Sequence, residues 1–417
     1  MALPKKKKRT HEAAIELLRD PRFFFLMGQK LEEMGVVGEE QNRLLIFLAC
    51  VTKDLRSAVS VIVKGSTSSG KSNLLRTVIR LFPVECVSNL ASLTPKALVY
   101  GDGDLSGKIL YLSEYRGAKD AMYLTRLQQS EGQIAHEYTA VSGRRRSTIV
   151  ARRRGSPVVL TTTTEHSVFA DDETRFLSLR ANESAELTRR IIRSRLLPRT
   201  AQKSQPPLEV WREATTLLAL RVPKFRYPSW FESIADLMPV DETRVRRDVE
   251  RFCSLLEAVA LCRSYSDGRR EAHTNSIEIN FADYCSAYGI ANEAFSSTYR
   301  GTHPQALRIA ESVHRIQAEL HRPVTVREVA QEQGWELPLA YKWVKVAVRD
   351  KVVSYEPGTR ARNQKRLVSQ KNRRTRFLPH PRRILGERPE LNEQTVYFDP
   401  LTGEKRAVRR HSKRGGN

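Results

Sequence analysis

The chain has 417 residues, enough for two or three domains, and at 40% hydrophobic it can bury a sizeable core. Lys and Arg number 71 against 47 Asp and Glu, a formal charge of +24 that attracts polyanions and makes nucleic acid the expected partner. The five cysteines (Cys50, Cys86, Cys253, Cys262, Cys285) contain no CxxC pair, which argues against structural zinc or a disulfide framework and fits a reducing cytoplasm.

Residues 1–11 read as a basic, solvated arm: the run Lys5–Arg9 leads into His11-Glu12-Ala13 and not into an apolar segment, so no secretory leader is expected. Thr10 to Met34 reads as one or two helices broken at Asp20-Pro21, and Glu39 to Cys50 as a further amphipathic helix. The apolar run Leu44 to Val51 is far shorter than the roughly 20 residues of a membrane span, so no membrane partner is expected.

The strongest motif follows. Ala58 to Val63 is an apolar, β-branched run, and Asn73 to Leu81 reads as a helix. Between them stands Gly65-Ser66-Thr67-Ser68-Ser69-Gly70-Lys71-Ser72, a complete GxxxxGK[ST]. A strand, a glycine-rich turn and a helix N-terminus together make an anion cradle, with backbone N–H groups and the helix dipole aimed at one phosphate. Lys71 is expected to reach the β- and γ-phosphates of ATP, and the Ser72 hydroxyl to ligate Mg²⁺.

Residues 58 to about 180 alternate apolar strands with helical stretches, the pattern of a parallel α/β sheet. Ile109 to Leu112 reads as a second core strand, after which Glu114 stands where a glutamate polarises the attacking water; Ser113 replaces the usual aspartate. Asp102-Gly103-Asp104 reads as a turn and not as a metal site. Val158 to Thr164 reads as a third strand ending in hydroxyls, with Thr163, then Thr162, as the candidate sensor of the γ-phosphate. Arg175, in Asp171-Asp172-Glu173-Thr174-Arg175, stands where an arginine finger would project into a neighbouring subunit's site. Between the second and third strands, Arg144, Arg145 and Arg146 and then Arg152, Arg153 and Arg154 flank a β-prone segment, the composition of a hairpin with cationic ends that grips DNA.

Residues 183–300 read as a helical lid or linker, with Asp241 as cap of a helix to about Ser264. Residues 301–368 read as a winged helix-turn-helix. It contains a helix from Pro304 to Leu320, a capping box at Thr325–Glu328 with a stop at Gly334, a third helix from Leu337, and a closing β-hairpin. Lys342, Lys345 and Arg349 are expected on the outer side of the third helix facing DNA, with Arg360, Arg362 and Lys365 in the wing. Residues 369–417 read as a basic, partly disordered tail; from Gly358 to Asn417 there are 17 Lys/Arg against 5 Asp/Glu.

Leu17 to Pro21, Gly35 to Glu39, the P-loop, Leu93 to Leu98, Leu127 to Gly132, Leu160 to Thr164 and Glu183 to Arg190 occur in an order that resembles the AAA+ ATPase module of phage and mobile-element DNA primase-helicase proteins. More distantly the chain is similar to minichromosome-maintenance helicases. The resemblance covers about residues 12–200, and residues 12–182 are expected to form the ATPase core. It implies an α/β P-loop NTPase of the AAA+ fold, DNA-dependent ATP hydrolysis and a hexameric ring. By position it assigns catalytic roles to Lys71, Glu114, Thr163 and Arg175. The primase domains of such relatives are not expected here. The leading expectation is a DNA motor in replication of a bacterial mobile element, acting in the cytoplasm on the nucleoid. Alternatives are a regulator that remodels an initiation complex, and a non-enzymatic DNA binder with a degenerate P-loop.

Overall fold

A computed structural model describes residues 5–142, 145–165, 168–196, 206–220, 222–240, 242–269, 275–300, 304–350, 352–356, 366–369, 377–388, 390–392 and 394–410. They form two units. The first comprises 1–237, 246–291 and 379–417; the second comprises 238–245 and 292–378.

The first unit opens with helices α1 (Lys5–Arg19), α2 (Phe23–Glu33) and α3 (Glu40–Val51). Helix α1 runs back through the basic cluster, so residues 5–11 are not the arm expected from their charge. Lysine is a good helix former, and the buried Ala14, Leu17 and Leu18 hold the next turns down. In α3 every side chain from Leu44 to Val51 is buried, so this apolar run is a core helix. Among the described residues no helix is long and apolar enough to cross a membrane.

The central sheet uses β1 (Val61–Lys64), β2 (Val87–Leu90), β3 (Ile109–Leu112), β6 (Val158–Thr163) and β7 (Leu177–Arg180), in the spatial order β2-β3-β6-β1-β7 with every pairing parallel. β1, β3 and β6 are buried along their whole length, as expected of central parallel strands covered on both faces. Helices α4 (Lys71–Ile79), α5 (Pro95–Tyr100) and α6 (Met122–Glu131) connect them. A two-stranded antiparallel hairpin, β4 (Gln133–Ser142) and β5 (Arg145–Arg154), rises between β3 and β6, where cationic hairpin ends were expected. A short α7 (Ala170–Glu173) precedes β7.

Beyond the sheet come α8 (Ala185–Leu196), α9 (Leu208–Ala219), β8 (Lys224–Arg226), α10 (Phe231–Leu237), α11 (Val245–Arg263), β9 (Ser276–Glu278) and α12 (Phe281–Arg300). This helical region does not form a separate lid. Trp211 of α9 packs on Phe23 at 5.7 Å, and Thr215 donates its hydroxyl to Leu81 O at 3.0 Å. The large apolar surface of α9 is thereby buried in the same core as α2 and α3. Asp241, the expected cap of α11, lies outside the described residues.

The second unit contains α13 (Pro304–Leu320), β10 (Val324–Thr325), α14 (Val326–Gln333), α15 (Leu337–Arg349), β11 (Val353–Tyr355) and β12 (Arg366–Ser369). Its three-stranded antiparallel sheet has the order β10-β12-β11. Ile309, Val313, Val329, Val344 and Leu367 form its core. The capping box is present: Glu328 N donates to Thr325 Oγ1 at 3.3 Å, and Thr325 N donates to Glu328 Oε2 at 2.7 Å. Gly334, at φ 63°, ends the helix.

The chain then returns to the first unit through α16 (Pro381–Glu387) and the hairpin β13 (Gln394–Phe398) and β14 (Lys405–Arg409). Residues 377–388 and 394–410 are therefore folded, against the expectation of a partly disordered tail. Ile384 and Leu385 are buried, Arg410 donates to Leu385 O at 3.0 Å, and the turn at Gly403 (φ 70°) sits against the Phe25 ring. The basic residues Lys405, Arg406 and Arg409 are exposed on this hairpin, while Val408 is buried.

Candidate nucleotide site and basic hairpin

β1 ends at Lys64, α4 begins at Lys71, and residues 65–70 turn between them. Ser68 and Gly70 have left-handed backbones, φ 66° and 86°. Residues of that hand in a tight turn direct backbone N–H groups into an anion-binding concavity. Gly65 is required for space: a Cβ there would lie 2.9 Å from both Glu183 Oε1 and Ser69 Oγ.

Lys71 is 7% exposed, and its ammonium donates to Gly65 O at 2.9 Å, Ser66 O at 2.5 Å and Ser69 Oγ at 3.3 Å. Burial pulls its pKa down, and the carboxylates of Glu183 and then Glu114 work against that. The lysine thus lies folded onto the loop, and the two carboxylates that act on it follow strands on opposite sides of β1 in the sheet. Ser72, in the first turn of α4, is half-buried.

Strand order decides how the remaining candidates meet the loop. β6 lies between β1 and β3, so Thr163 pairs with Lys64 and Leu112 with Thr161. Gly65 N donates to Thr163 O at 3.3 Å, which seats the P-loop on the end of β6. The Thr163 hydroxyl accepts Glu165 N at 3.1 Å, whereas Thr162 donates its hydroxyl to Ser113 O at 2.8 Å and so serves the strand. Ser113 N donates to Leu90 O at 3.1 Å, fixing the turn from which the exposed Glu114 projects. Thr163 and Glu114 are therefore brought to the P-loop end of the sheet. No cluster of three His, Cys, Asp or Glu suited to a metal occurs among the described residues. One serine hydroxyl with phosphate oxygens and water fits Mg²⁺, which dehydrates reluctantly and takes few protein ligands.

Arg175 is held elsewhere on the same unit. Its guanidinium donates to Ser130 Oγ at 2.6 Å, and burial, Arg247 and Arg126 depress its pKa. Three guanidinium groups crowded together favour an anion beside them.

One arginine of the hairpin departs from the DNA-gripping role expected of it. Arg153 does not stand free for DNA: its guanidinium donates to Ala97 O (3.1 Å), Leu98 O (3.0 Å), Asp102 O (3.0 Å) and Gly103 O (3.1 Å). It meets Leu98 O near the C-terminal end of α5 and the carbonyls of Asp102 and Gly103 in the following turn, and shares Ala97 O with Gly101 N. Tyr138 packs edge-on to Tyr100 of α5 at 5.0 Å, on the same face. Arg152 and Arg154, one residue either side, point to the opposite face and are exposed. Arg144 lies outside the described residues; Arg145 and Arg146 lie in β5, with side chains outside the description.

In the second unit Lys342, Lys345 and Arg349 are exposed on α15, as their spacing predicts. Lys342 Nζ stands 4.9 Å over the Trp343 ring, and Arg349 pairs with Asp350 at 2.9 Å. Arg360, Arg362 and Lys365 lie outside the described residues.

Sequence reading missed the partners of these residues. Glu183 accepts Ser66 N, Lys64 pairs with Glu173, and Tyr115 donates to Asp172. The signal available for each was a polar residue at the end of an apolar strand. A family model described as "MTBMA_p00010 P-loop domain" matches residues 8–203. No curated protein matches the chain. The matched segment contains the whole P-loop sheet, and its coarse chemistry is that of a nucleotide-binding P-loop NTPase module.

Proposed function

We propose that the protein is an ATP-hydrolysing, DNA-binding motor of the AAA+ class, helicase or helicase-like, serving replication of a phage or mobile element as a ring-shaped homo-oligomer. The observation that supports it best is the basic β4–β5 hairpin, placed between the strand leading to Glu114 and the strand bearing Thr163. A DNA-gripping element there interrupts the chain between two parts of the hydrolytic site. Lys71 and the loop N–H groups hold the β- and γ-phosphates, and Ser72 holds Mg²⁺, which neutralises charge on the phosphates. Glu114 polarises the attacking water and Thr163 orients it. Arg175 reaches the nucleotide of a neighbouring subunit, an effect worth on the order of 10³–10⁵ in rate.

The second unit is read as a winged helix whose α15 meets DNA through Lys342, Lys345 and Arg349. Its exposed cations on one helix favour the second reading, a regulator that recognises a site and remodels a complex without unwinding. The test is ATP turnover with and without single-stranded and duplex DNA, on protein whose mass in solution is known, followed by strand displacement on a forked duplex. Turnover that ignores DNA overturns the motor. DNA-stimulated turnover without displacement, together with a defined footprint, selects the regulator.

A further inference from the structure

The segment from Asp171 to Arg175 is held by residues that adjoin the nucleotide machinery. Tyr115, which follows Glu114, donates its hydroxyl to Asp172, and Arg126 of α6 pairs with the same carboxylate at 2.7 Å. The next residue, Glu173, pairs with Lys64, the last residue of β1 before the P-loop. Asp172 is 3% exposed and Lys64 2%. A carboxylate so buried persists only when its partners are well placed, and removing one partner leaves an uncompensated charge.

Arg175 is tied to this network directly. Its backbone N–H donates to Asp172 O at 2.8 Å, and Arg251 and Arg247 of α11 donate to the carbonyl and hydroxyl of Thr174 beside it. Asp172 is also the buried counter-charge of Arg126, one of the two arginines that crowd Arg175. The carboxylate thus sets both the path of the loop and the charge around its guanidinium.

We propose that Asp172 is a positioning residue for Arg175, fixing the direction of the guanidinium by tying its loop to the residue that follows Glu114. The proposal rests on the reading of Arg175 as a finger that acts on a neighbouring subunit. Aim matters in such a site, since a displacement of about 1 Å costs about 10²-fold in rate.

Mixed oligomers of full-length variants test it. Arg175→Ala subunits keep a complete pocket and lack the finger; Lys71→Ala subunits have the opposite defect, so mixing the two restores turnover. Asp172→Asn is expected to lower kcat about 10²-fold with little change in the KM for ATP. It should regain turnover when mixed with Lys71→Ala and gain nothing from Arg175→Ala. Rescue by Arg175→Ala instead of Lys71→Ala places the defect in the variant's own pocket and overturns the proposal. Failure of the reference pair, Arg175→Ala with Lys71→Ala, overturns the finger reading itself. Tyr115→Phe leaves Asp172 paired with Arg126 and so guards against misfolding. It should show the same complementation pattern with a roughly tenfold loss, the scale of one hydrogen bond to a charged group. Wild-type kcat in both Asp172→Asn and Tyr115→Phe would also overturn the proposal.

Discussion

Glu183 accepts a hydrogen bond from the backbone N–H of Ser66, so a carboxylate rests on the loop that is shaped to receive phosphate. Glu183 is exposed, and its charge on an incoming triphosphate is partly screened. Glu183→Gln should therefore tighten ATP binding by about fivefold, equivalent to roughly 1 kcal/mol. Titration of a fluorescent ATP analogue measures it, and weaker binding would show that the carboxylate braces the loop instead.

Lys71→Ala and Glu114→Gln should separate binding from hydrolysis. The first removes the ammonium that sits on Gly65 O and Ser66 O, so ATP binding and turnover fall together. The second leaves the cradle intact, so ATP binds while kcat falls about 10²–10⁴-fold, the range of a lost general base. Equilibrium binding and steady-state turnover on the same preparations distinguish the two.

Of the three arginines at the end of β5, Arg153 should behave differently from Arg152 and Arg154. Arg153→Ala removes the donor to Leu98 O of α5 and to Asp102 O and Gly103 O in the following turn, and should cost about 2 kcal/mol of stability in urea unfolding. Arg152→Ala and Arg154→Ala should change stability by less than about 0.5 kcal/mol. Each of those two should weaken DNA binding across sequences and reduce the salt slope by about 1.

In the second unit, Arg322 and the Thr325 backbone and hydroxyl hold the Glu328 carboxyl down to about 2. A carboxylate with a depressed folded-state pKa stabilises above its ordinary value, 4.5 here, and that contribution is lost as pH falls towards 2. Glu328→Gln should therefore raise hydrogen-exchange rates in residues 326–333 at pH 7, and the difference from wild type should vanish near pH 2. Thr325→Ala should cost about 1 kcal/mol through the same cap.

Particular elements show where sequence reading succeeds. The P-loop was legible because strand, turn and helix are contiguous and each is set by local sterics. The capping box at Thr325 and the stop at Gly334 were legible for the same reason. Helix α12, in the stretch that reads in sequence only as helical lid or linker, runs unbroken from Phe281 to Arg300. Buried Tyr284, Ala287, Ile290, Ala291 and Phe295 along it show tertiary packing overriding local propensity. Charge misled at both ends, where Lys5–Arg9 and much of 377–410 are folded because the decisive apolar residues lie between the basic ones.

By itself, the sequence determined that this chain has a phosphate cradle at residues 65–72, an acidic residue after a second strand, and a strongly basic character. Only the tertiary structure decided that Thr163 seats the loop while Thr162 serves the strand, that Arg153 is structural while Arg152 and Arg154 are open, and that Asp172 and Glu173 tie the Arg175 loop to Tyr115 and Lys64. The division is physical. A turn's conformation depends on its neighbours in the chain, whereas a polar side chain's role depends on which partner its buried end finds, and β6 has to insert between β1 and β3 before those partners meet.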